Sequence, residues 1–510
     1  MKKAKLLKIV SSIFVSAALA AATAVSSFAY DLTINGTKTG HTYGAYQIFT
    51  GDLDGSTLSN IEWGTGVNGT AALTALKADG KIGSLFTDAD SAATVAKAIE
   101  KATAEQMDIF AQVIGANLTA TAVTKESSDS STVINGLDAG YYLIKDTKKV
   151  DGQDAATKFI IKIVKDATAT PKTGVPTVEK KLQDNDDGVA DAWQDVADYD
   201  IGESVPFKLT GTMPSNISDY KTYKYIFHDT LSAGLTFNND VTVKVGDTTI
   251  DASKYTVTAN GTSIDISFTD VKTLGVDITA DSKIVVEYSA KVNADAVIGL
   301  PGNPNEVYLE FSNNPNQGGE GETGETPKDQ VVVFTYELDV LKVDGENPQT
   351  KLKDAEFKLS HNGKWLVVEN GKVKEWVDSE DDATTLKTDA NGKIAIIGLD
   401  EGTYSLKETR APSGYNLLAT PIELVITADD VHDVEYTGSN AADELTAIKL
   451  NGVAGDVTEG IVETQVENNK GSQLPETGGI GTTIFYIGGG ILAVAAALLL
   501  VVKIRKRNEA

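Results

Sequence analysis

The two longest apolar stretches of this 510-residue chain lie near its ends, which confines the folded part to the sequence between them. Residues 1–29 carry four lysines, an apolar stretch and then small residues, the pattern of a signal peptide cleaved after Ala29. Near the other end, Ile484 to Val502 carries no charge and is about long enough to cross a bilayer. The basic residues behind it would hold the tail in the cytoplasm. We therefore predict an exported chain that is processed at both ends.

The exported part has to fold without disulfides, because the chain contains no cysteine. Between Tyr30 and Thr477 it has 37 basic and 71 acidic side chains, a net charge of −34. Such a surface repels phosphates, so nucleic acid is excluded as a partner. We expect no cofactor, and no metal either, since the histidines are scattered without metal-ligand spacing. The acidic run from Asp184 resembles a calcium loop only at its start and is better explained as a polar turn.

Strand-like alternation recurs along the chain and predicts a mainly β protein of three tandem immunoglobulin-like sandwiches. Helical spacing over residues 71–116 adds helices to the first sandwich. The polar, Gly-rich residues 313–328 are expected to form a long exposed loop. The predicted divisions are a signal peptide over 1–29, sandwiches over 30–170, 177–336 and 337–470, a linker over 171–176 and a C-terminal signal over 471–510.

Three polar residues of the third unit fall on strand faces that are otherwise apolar. Lys342 is in phase with Leu338 and Val340, and the same alternation points Glu408 and Asn468 inward. Burial lowers the pKa of a lysine and raises that of a carboxyl group, so both groups tend towards neutrality. A neutral Lys342 amine could attack the Asn468 carboxamide and expel ammonia, with Glu408 moving the protons. The alternative is that the lysine reaches solvent, the glutamate lies at the rim and the asparagine caps a turn.

The second unit contains a similar set. Alternation points Lys180 inward and Lys181 towards the polar face, which favours Lys180 without deciding between the two lysines. It points both Asn305 and Asn313 inward, so the acceptor stays open too.

Several of these segments resemble pilin domains of Gram-positive bacteria. Lys342-Val343-Asp344 and the segment from Glu408 to Tyr415 are similar to the opening strand and the E-box of CnaB-type domains. Phe227 to Leu235 resembles the acid-bearing segment of CnaA-type domains, which implies Asp229. The resemblance implies intramolecular isopeptide bonds joining Lys342 to Asn468, promoted by Glu408, and Lys180 to Asn305, promoted by Asp229.

The first unit departs from this pattern. Leu137 to Asp146 resembles an E-box with Asp146 in the position of the glutamate, but no lysine occurs between Tyr30 and Ile34 in the opening strand. We therefore predict that this unit contains no isopeptide bond.

The C-terminal signal resembles the LPXTG signal read by Gram-positive sortases. It consists of a pentapeptide, the apolar stretch and the basic tail, and the pentapeptide is Leu474, Pro475, Glu476, Thr477 and Gly478. The resemblance implies cleavage between Thr477 and Gly478. Thr170-Pro171-Lys172 resembles the core of the pilin motif, although the family usually has tyrosine where this chain has Thr170. The resemblance implies that Lys172 receives the threonine of another subunit. Lys162 and Lys165 are the alternative acceptors. The simplest alternative is that Lys172 is an ordinary solvated lysine of the linker.

As a whole the exported chain resembles the major subunit of a sortase-assembled pilus. This implies a structural protein anchored to the cell wall, which is not an enzyme apart from forming its own crosslinks once. The implied partners are a class C pilus sortase, a housekeeping sortase, peptidoglycan, ancillary pilins and other copies of the chain, with host or matrix ligands undetermined. The alternatives are a monomeric LPXTG-anchored adhesin and an ancillary pilus subunit. A surface hydrolase is disfavoured because no catalytic motif occurs.

Overall fold

The computed structural model describes residues 29–150, 154–171, 174–184, 192–317, 321–430 and 436–471, together with Leu492. The predicted signal peptide up to Phe28, Lys172 and the pentapeptide from Leu474 to Gly478 lie outside these residues. No helix in the described part of the chain is long and apolar enough to cross a membrane. The apolar stretch near the C-terminus lies outside the described residues except for Leu492.

The N-terminal part pairs two small sheets with helices. One sheet has the strand order β5-β1-β8, and the other has the order β3-β2-β6-β7 with β4 paired to β2. The strands are β1 (Tyr30–Thr37), β2 (Thr42–Asp54), β3 (Thr57–Trp63), β4 (Val123–Glu126), β5 (Ser130–Leu137), β6 (Gly140–Asp146), β7 (Lys158–Ile163) and β8 (Ala167–Ala169). The helices are α1 (Gly69–Ala78), α2 (Ala92–Ile99) and α3 (Ala104–Gly115).

The predicted helical stretch is divided because the sequence contains helix starts within it. Ser91 and Thr103 cap α2 and α3, each forming a reciprocal capping box with the residue three positions on. The helices bury Leu76, Val95 and Phe110 against the second sheet in a core that is separate from the core around β1.

The middle part is a two-sheet sandwich. Its seven-stranded sheet has the order β10-β21-β19-β12-β17-β16 with β20 paired to β19, and its six-stranded sheet has the order β15-β14-β18-β11-β9 with β13 paired to β18. The strands are β9 (Val178–Leu182), β10 (Val196–Asp198), β11 (Ser204–Thr212), β12 (Tyr225–Leu231), β13 (Leu235–Phe237), β14 (Thr242–Val245), β15 (Thr248–Thr249), β16 (Thr256–Asn260), β17 (Ser263–Phe268), β18 (Lys283–Val292), β19 (Asn303–Ser312), β20 (Thr323–Glu325) and β21 (Asp329–Phe334).

The C-terminal part is a continuous strand network in the order β31-β30-β29-β28-β23-β24-β25-β27-β22-β32, with β26 paired to β23. A single residue pair, Lys372 with Ile397, joins β25 to β27, so β27, β22 and β32 form a layer of their own. The elements are β22 (Tyr336–Asp344), β23 (Glu356–His361), β24 (Lys364–Glu369), β25 (Lys372–Val377), β26 (Leu386–Lys387), β27 (Lys393–Leu399), β28 (Gly402–Arg410), β29 (Ile422–Asp430), α4 (Ala441–Glu444), β30 (Leu445–Leu450), β31 (Val453–Ala454) and β32 (Ile461–Asn468). The predicted mainly β architecture is confirmed.

The expectation of an exposed loop over 313–328 is wrong at the start of that segment and again within it. Asn313 and Asn314 are buried, and Thr323–Glu325 forms β20. The backbone carbonyl of Asn313 accepts a hydrogen bond of 2.7 Å from the amide of Ala156 in the N-terminal part. Lys158 reaches from the N-terminal part to the Pro315 carbonyl at 3.2 Å. The segment therefore forms part of the junction between the N-terminal and middle parts.

The junction between the middle and C-terminal parts depends on a close backbone approach. Gly299 and Gly460 both have left-handed backbone conformations, with φ of +64° and +71°. A Cβ atom added to Gly299 would lie 2.3 Å from the amide nitrogen of Gly460, so a side chain there has no room. Close by, the indole of Trp376 donates a hydrogen bond of 2.6 Å to Asp200 across the same junction.

Candidate crosslinking sites

In the C-terminal part, Lys342, Glu408 and Asn468 meet in the core. β22 and β32 run parallel with Lys342 opposite Val466, which places Asn468 two residues further along on the same face. β28 contributes Glu408 from outside this layer. The Asn468 Nδ2 donates to Glu408 Oε2 at 3.0 Å, and the Lys342 Nζ donates to the Val466 carbonyl at 3.0 Å. Nucleophile, acid and amide are thus brought together at one site.

Burial shifts Lys342 in the C-terminal part towards its neutral form. Lys342 has no exposed surface, and this burial lowers its pKa to about 8, against the opposing attraction of Glu408. The carboxylate is positioned by the backbone amide of Leu418, which donates to Glu408 Oε2 at 2.8 Å. Within the described residues, Glu408 Oε1 and Asn468 Oδ1 make no hydrogen bond. The site therefore combines a weakly basic amine with an incompletely satisfied acid and amide, a costly arrangement in a purely structural core.

In the middle part, Lys180 and Asp229 form a fully buried pair between the two sheets. β9 presents Lys180 from the six-stranded sheet, and β12 presents Asp229 from the seven-stranded sheet. The Lys180 Nζ donates directly to Asp229 Oδ2. Burial lowers the pKa of Lys180 and raises the pKa of Asp229, and the attraction between them opposes both shifts. Because burial is the largest cause in each case, the pair is driven towards its neutral form.

Asn305 completes this site through a tyrosine that the sequence did not single out. The Asn305 Nδ2 donates to the Tyr288 hydroxyl at 2.7 Å, and that hydroxyl donates to Asp229 Oδ1 at 2.9 Å. Lys180 also donates to the hydroxyl, at 3.1 Å. Alternation places Tyr288 on the inward face of β18, but the position of its hydroxyl follows from the packing of two sheets.

The structure separates the alternatives that the sequence left open in the middle part. Lys181 lies outside the site and pairs with Asp195 at 2.7 Å. Asn313 faces the N-terminal part, where its Nδ2 donates to the carbonyls of Val150 and Asp154 at 3.2 and 3.3 Å. Asn305 is therefore the asparagine that the fold brings to Lys180 and Asp229.

The corresponding position of the N-terminal part holds an ion pair. Asp146 Oδ1 lies 3.0 Å from His41 Nδ1, and Asp146 Oδ2 accepts a hydrogen bond of 2.6 Å from the Thr157 amide. The hydrogen bond to Asp146, helped by Asp154, raises the pKa of His41 to about 9. Leu32 and Ile34 occupy the buried positions of β1. The absence of an isopeptide bond here stays a prediction.

The residues predicted to link subunits lie largely outside the described part. Gly174, two positions after Lys172, lies against Ser215 of the middle part. Of the alternatives, Lys162 donates to the Ser56 carbonyl at 2.9 Å, and Lys165 is exposed.

Three family models match successive parts of the chain. They describe a Gram-positive pilin backbone subunit 2 Cna-B-like domain over 201–315, a prealbumin-like fold domain over 336–440 and an LPXTG cell wall anchor motif over 466–509. A trypsin-resistant surface T6 protein of Streptococcus pyogenes is 26% identical over 408 residues, which cover 66% of this chain and 70% of that protein. A type 1 fimbrial subunit of Actinomyces viscosus is 32% identical over 100 residues, covering 20% of this chain and 15% of that protein.

The fold is similar to a solved backbone pilin. The T6 backbone pilin of serotype M6 Streptococcus pyogenes matches with a TM-score of 0.54 and 18% identity, over 88% of this chain and 100% of that one. That pilin has a modular three-domain structure. Tandem pilin domains followed by an LPXTG anchor define a cell-wall-anchored surface protein of structural rather than enzymatic class. Together with the T6 relative, these matches support a backbone subunit of a Gram-positive pilus.

Proposed function

We propose that this chain is the shaft subunit of a covalent pilus, reinforced internally by Lys342–Asn468 and Lys180–Asn305 amide bonds. The observation that carries the proposal is the occurrence of two buried sets, each with one lysine, one acid and one asparagine. An uncompensated buried lysine is costly, and the same sets recur in two separate sandwiches. Two such sets are better explained by chemistry than by packing.

Each internal bond forms by displacement at a carboxamide. The neutral lysine Nζ attacks the asparagine Cγ, the Cγ–Nδ2 bond breaks, and the acid carries the proton from the amine to the departing nitrogen. Ammonia leaves and the acid is regenerated, so no co-reactant is required. The folded chain holds the groups together, and this proximity supplies much of the acceleration.

Between subunits, a class C sortase cleaves after Thr477 and holds the threonine as a thioester. The Lys172 amine of another copy attacks this thioester, forms an amide and releases the enzyme thiol. Repetition builds the shaft, and a housekeeping sortase transfers the finished fibre to peptidoglycan, where the fibre supports adhesion. A linker lysine beside Pro171 suits this role because an extended linker is accessible to an enzyme.

The test is an immunoblot of wall extracts boiled in denaturant, from cells that carry the pilus sortase. The wild-type chain should give a ladder of high-mass species, and Lys172→Ala should give monomer of unchanged melting temperature. Lys165→Ala is the matched control, because it removes an exposed neighbouring lysine and should keep the ladder. A ladder that persists in Lys172→Ala contradicts the assignment of this lysine. A single monomer band from the wild type favours an anchored monomeric adhesin.

A further inference from the structure

The two candidate sites differ in how the acid reaches the amide. In the C-terminal part, Glu408 accepts a hydrogen bond directly from the Asn468 Nδ2 at 3.0 Å. In the middle part, the Asn305 Nδ2 hydrogen bonds to the Tyr288 hydroxyl, which in turn donates to Asp229 at 2.9 Å. The departing nitrogen of this site therefore contacts a phenol where its counterpart contacts a carboxyl group.

We propose that Tyr288 is a catalytic residue of the Lys180–Asn305 crosslink, relaying a proton from Asp229 to the departing nitrogen of Asn305. The inference rests on the proposed function, because it concerns a step in one of the proposed internal bonds. The hydroxyl contacts both reacting groups, the Lys180 Nζ at 3.1 Å and the Asn305 Nδ2 at 2.7 Å. It also contacts the acid, and so it connects every participant in the reaction.

The protons balance without any further group. Lys180 enters as a neutral amine beside a protonated Asp229, and its Nζ attacks the Cγ of Asn305. Attack gives Nδ2 a free lone pair, and with the proton of Asp229 on Oδ1 both hydrogen bonds of the hydroxyl reverse direction. The hydroxyl of Tyr288 then gives its proton to the departing Nδ2 and takes the proton of Asp229. Asp229 then accepts a proton from the newly bonded Nζ on its other oxygen. Ammonia leaves, an amide remains, and the tyrosine and the aspartic acid end as they began.

The surroundings of Tyr288 suit a relay more than a structural hydrogen bond. Phe207 stacks on the ring at 5.4 Å and Phe237 meets it edge-on at 5.6 Å between the centroids, which fixes the position of the hydroxyl. Burial raises the pKa of Tyr288 well above its ordinary value, so the hydroxyl stays protonated and can pass its proton on only while it takes the one held by Asp229. Within the described residues the Asn305 Oδ1 has no hydrogen bond, so the amide is held through its nitrogen.

The experiment follows bond formation in newly made chain covering Tyr30 to Thr477. Cell-free synthesis is stopped at successive times in denaturant, and digested peptides are analysed by mass spectrometry for the Lys180–Asn305 link and for the Lys342–Asn468 link. Tyr288→Phe should slow the first link by about 100-fold, the lower end of the contribution of a positioned proton-transfer group, and leave the second unchanged. Tyr225→Phe is the matched control, since it removes a buried hydroxyl that donates to the Thr212 carbonyl at 2.9 Å, and it should form both links normally.

Each outcome decides between specific claims. Equal rates in the wild type and Tyr288→Phe overturn the relay, while the internal bond itself stands. Absence of the Lys180–Asn305 link from the wild type overturns the proposed bond and the relay with it. If Tyr288→Phe leaves the middle part unfolded, 3-fluorotyrosine at position 288 replaces it, because it keeps the ring and hydroxyl and changes only the acidity. A several-fold change in rate then supports the relay, and an unchanged rate overturns it.

Discussion

Replacing Lys342 by methionine distinguishes a crosslinked core from an uncrosslinked one by the sign of the change in stability. If the Lys342 amine is free, it is a fully buried group whose pKa has fallen to about 8, which disfavours the folded state at neutral pH. An apolar side chain of similar length would then raise the melting temperature. If the amine is bonded to Asn468, the same substitution removes a covalent tie and lowers the melting temperature.

The size of the decrease follows from the loop that the bond closes. Lys342 and Asn468 lie at opposite ends of the C-terminal part, about 125 residues apart. The chain-entropy relation used for disulfides gives about 5 kcal/mol for a loop of this length. For a domain of this size, that corresponds to a decrease of roughly 15–20 °C in melting temperature. Asn468→Ala should cost a similar amount, and the double variant should cost little more, because one bond is lost in each case.

The assay is scanning calorimetry of the chain from Tyr30 to Thr477, following the transition of the C-terminal part at neutral pH. Lys351→Met is the control, since it removes an exposed lysine of the same part and should change the melting temperature little. A Lys342→Met transition at or above the wild-type temperature would refute the crosslink. So would strictly additive losses in the double variant.

Three further perturbations test other parts of the fold. The pKa of His41 is raised to about 9, so its pairing with Asp146 stabilises the fold fully below pH 6.5 and less as the pH rises through 9. His41→Asn should flatten the fall in melting temperature between these pH values. An unchanged slope would contradict the pairing. Burial raises the pKa of Asp200 to about 7, so its contribution to the stability of the fold is full below about pH 4 and is lost as the pH rises through 7. Asp200→Asn should remove this pH dependence of the melting temperature from calorimetric scans. Scans that keep the dependence would assign the titration to another group. Gly299→Ala should place a methyl group against Gly460 and lower the melting temperature of the parts that meet there, and an unchanged melting temperature would contradict the tight junction.

Alternation along single strands was enough to predict which way the reactive side chains point. Lys342 and Glu408 lie in phase with apolar neighbours, and both are buried in the structure. The same rule favoured Lys180 over Lys181, because adjacent residues of a strand face opposite sides. It applied here because each of these strands has one face directed at a core.

The contacts between sheets could not be predicted in this way. Alternation alone could not place the hydroxyl of Tyr288 between Lys180 and Asp229. The pattern of one strand gives the direction of its side chains, but it does not say which residues of the facing sheet they pack against. Asn313 is in phase with Asn305, but the chain leaves β19 there and packs against the N-terminal part. Composition indicated an exposed loop from Asn313 onwards, because composition alone does not distinguish polar residues that are buried between two parts of a chain from polar residues that are exposed to solvent.

The intact mass of the recombinant chain from Tyr30 to Thr477, measured under denaturing conditions, tests the central claim most directly. If both bonds form, the mass is lower than that of the sequence by two molecules of ammonia, and peptide mapping assigns one loss to Lys180–Asn305 and the other to Lys342–Asn468. A mass equal to that of the unmodified sequence would contradict the account, because both buried lysines would then be free amines in a folded protein.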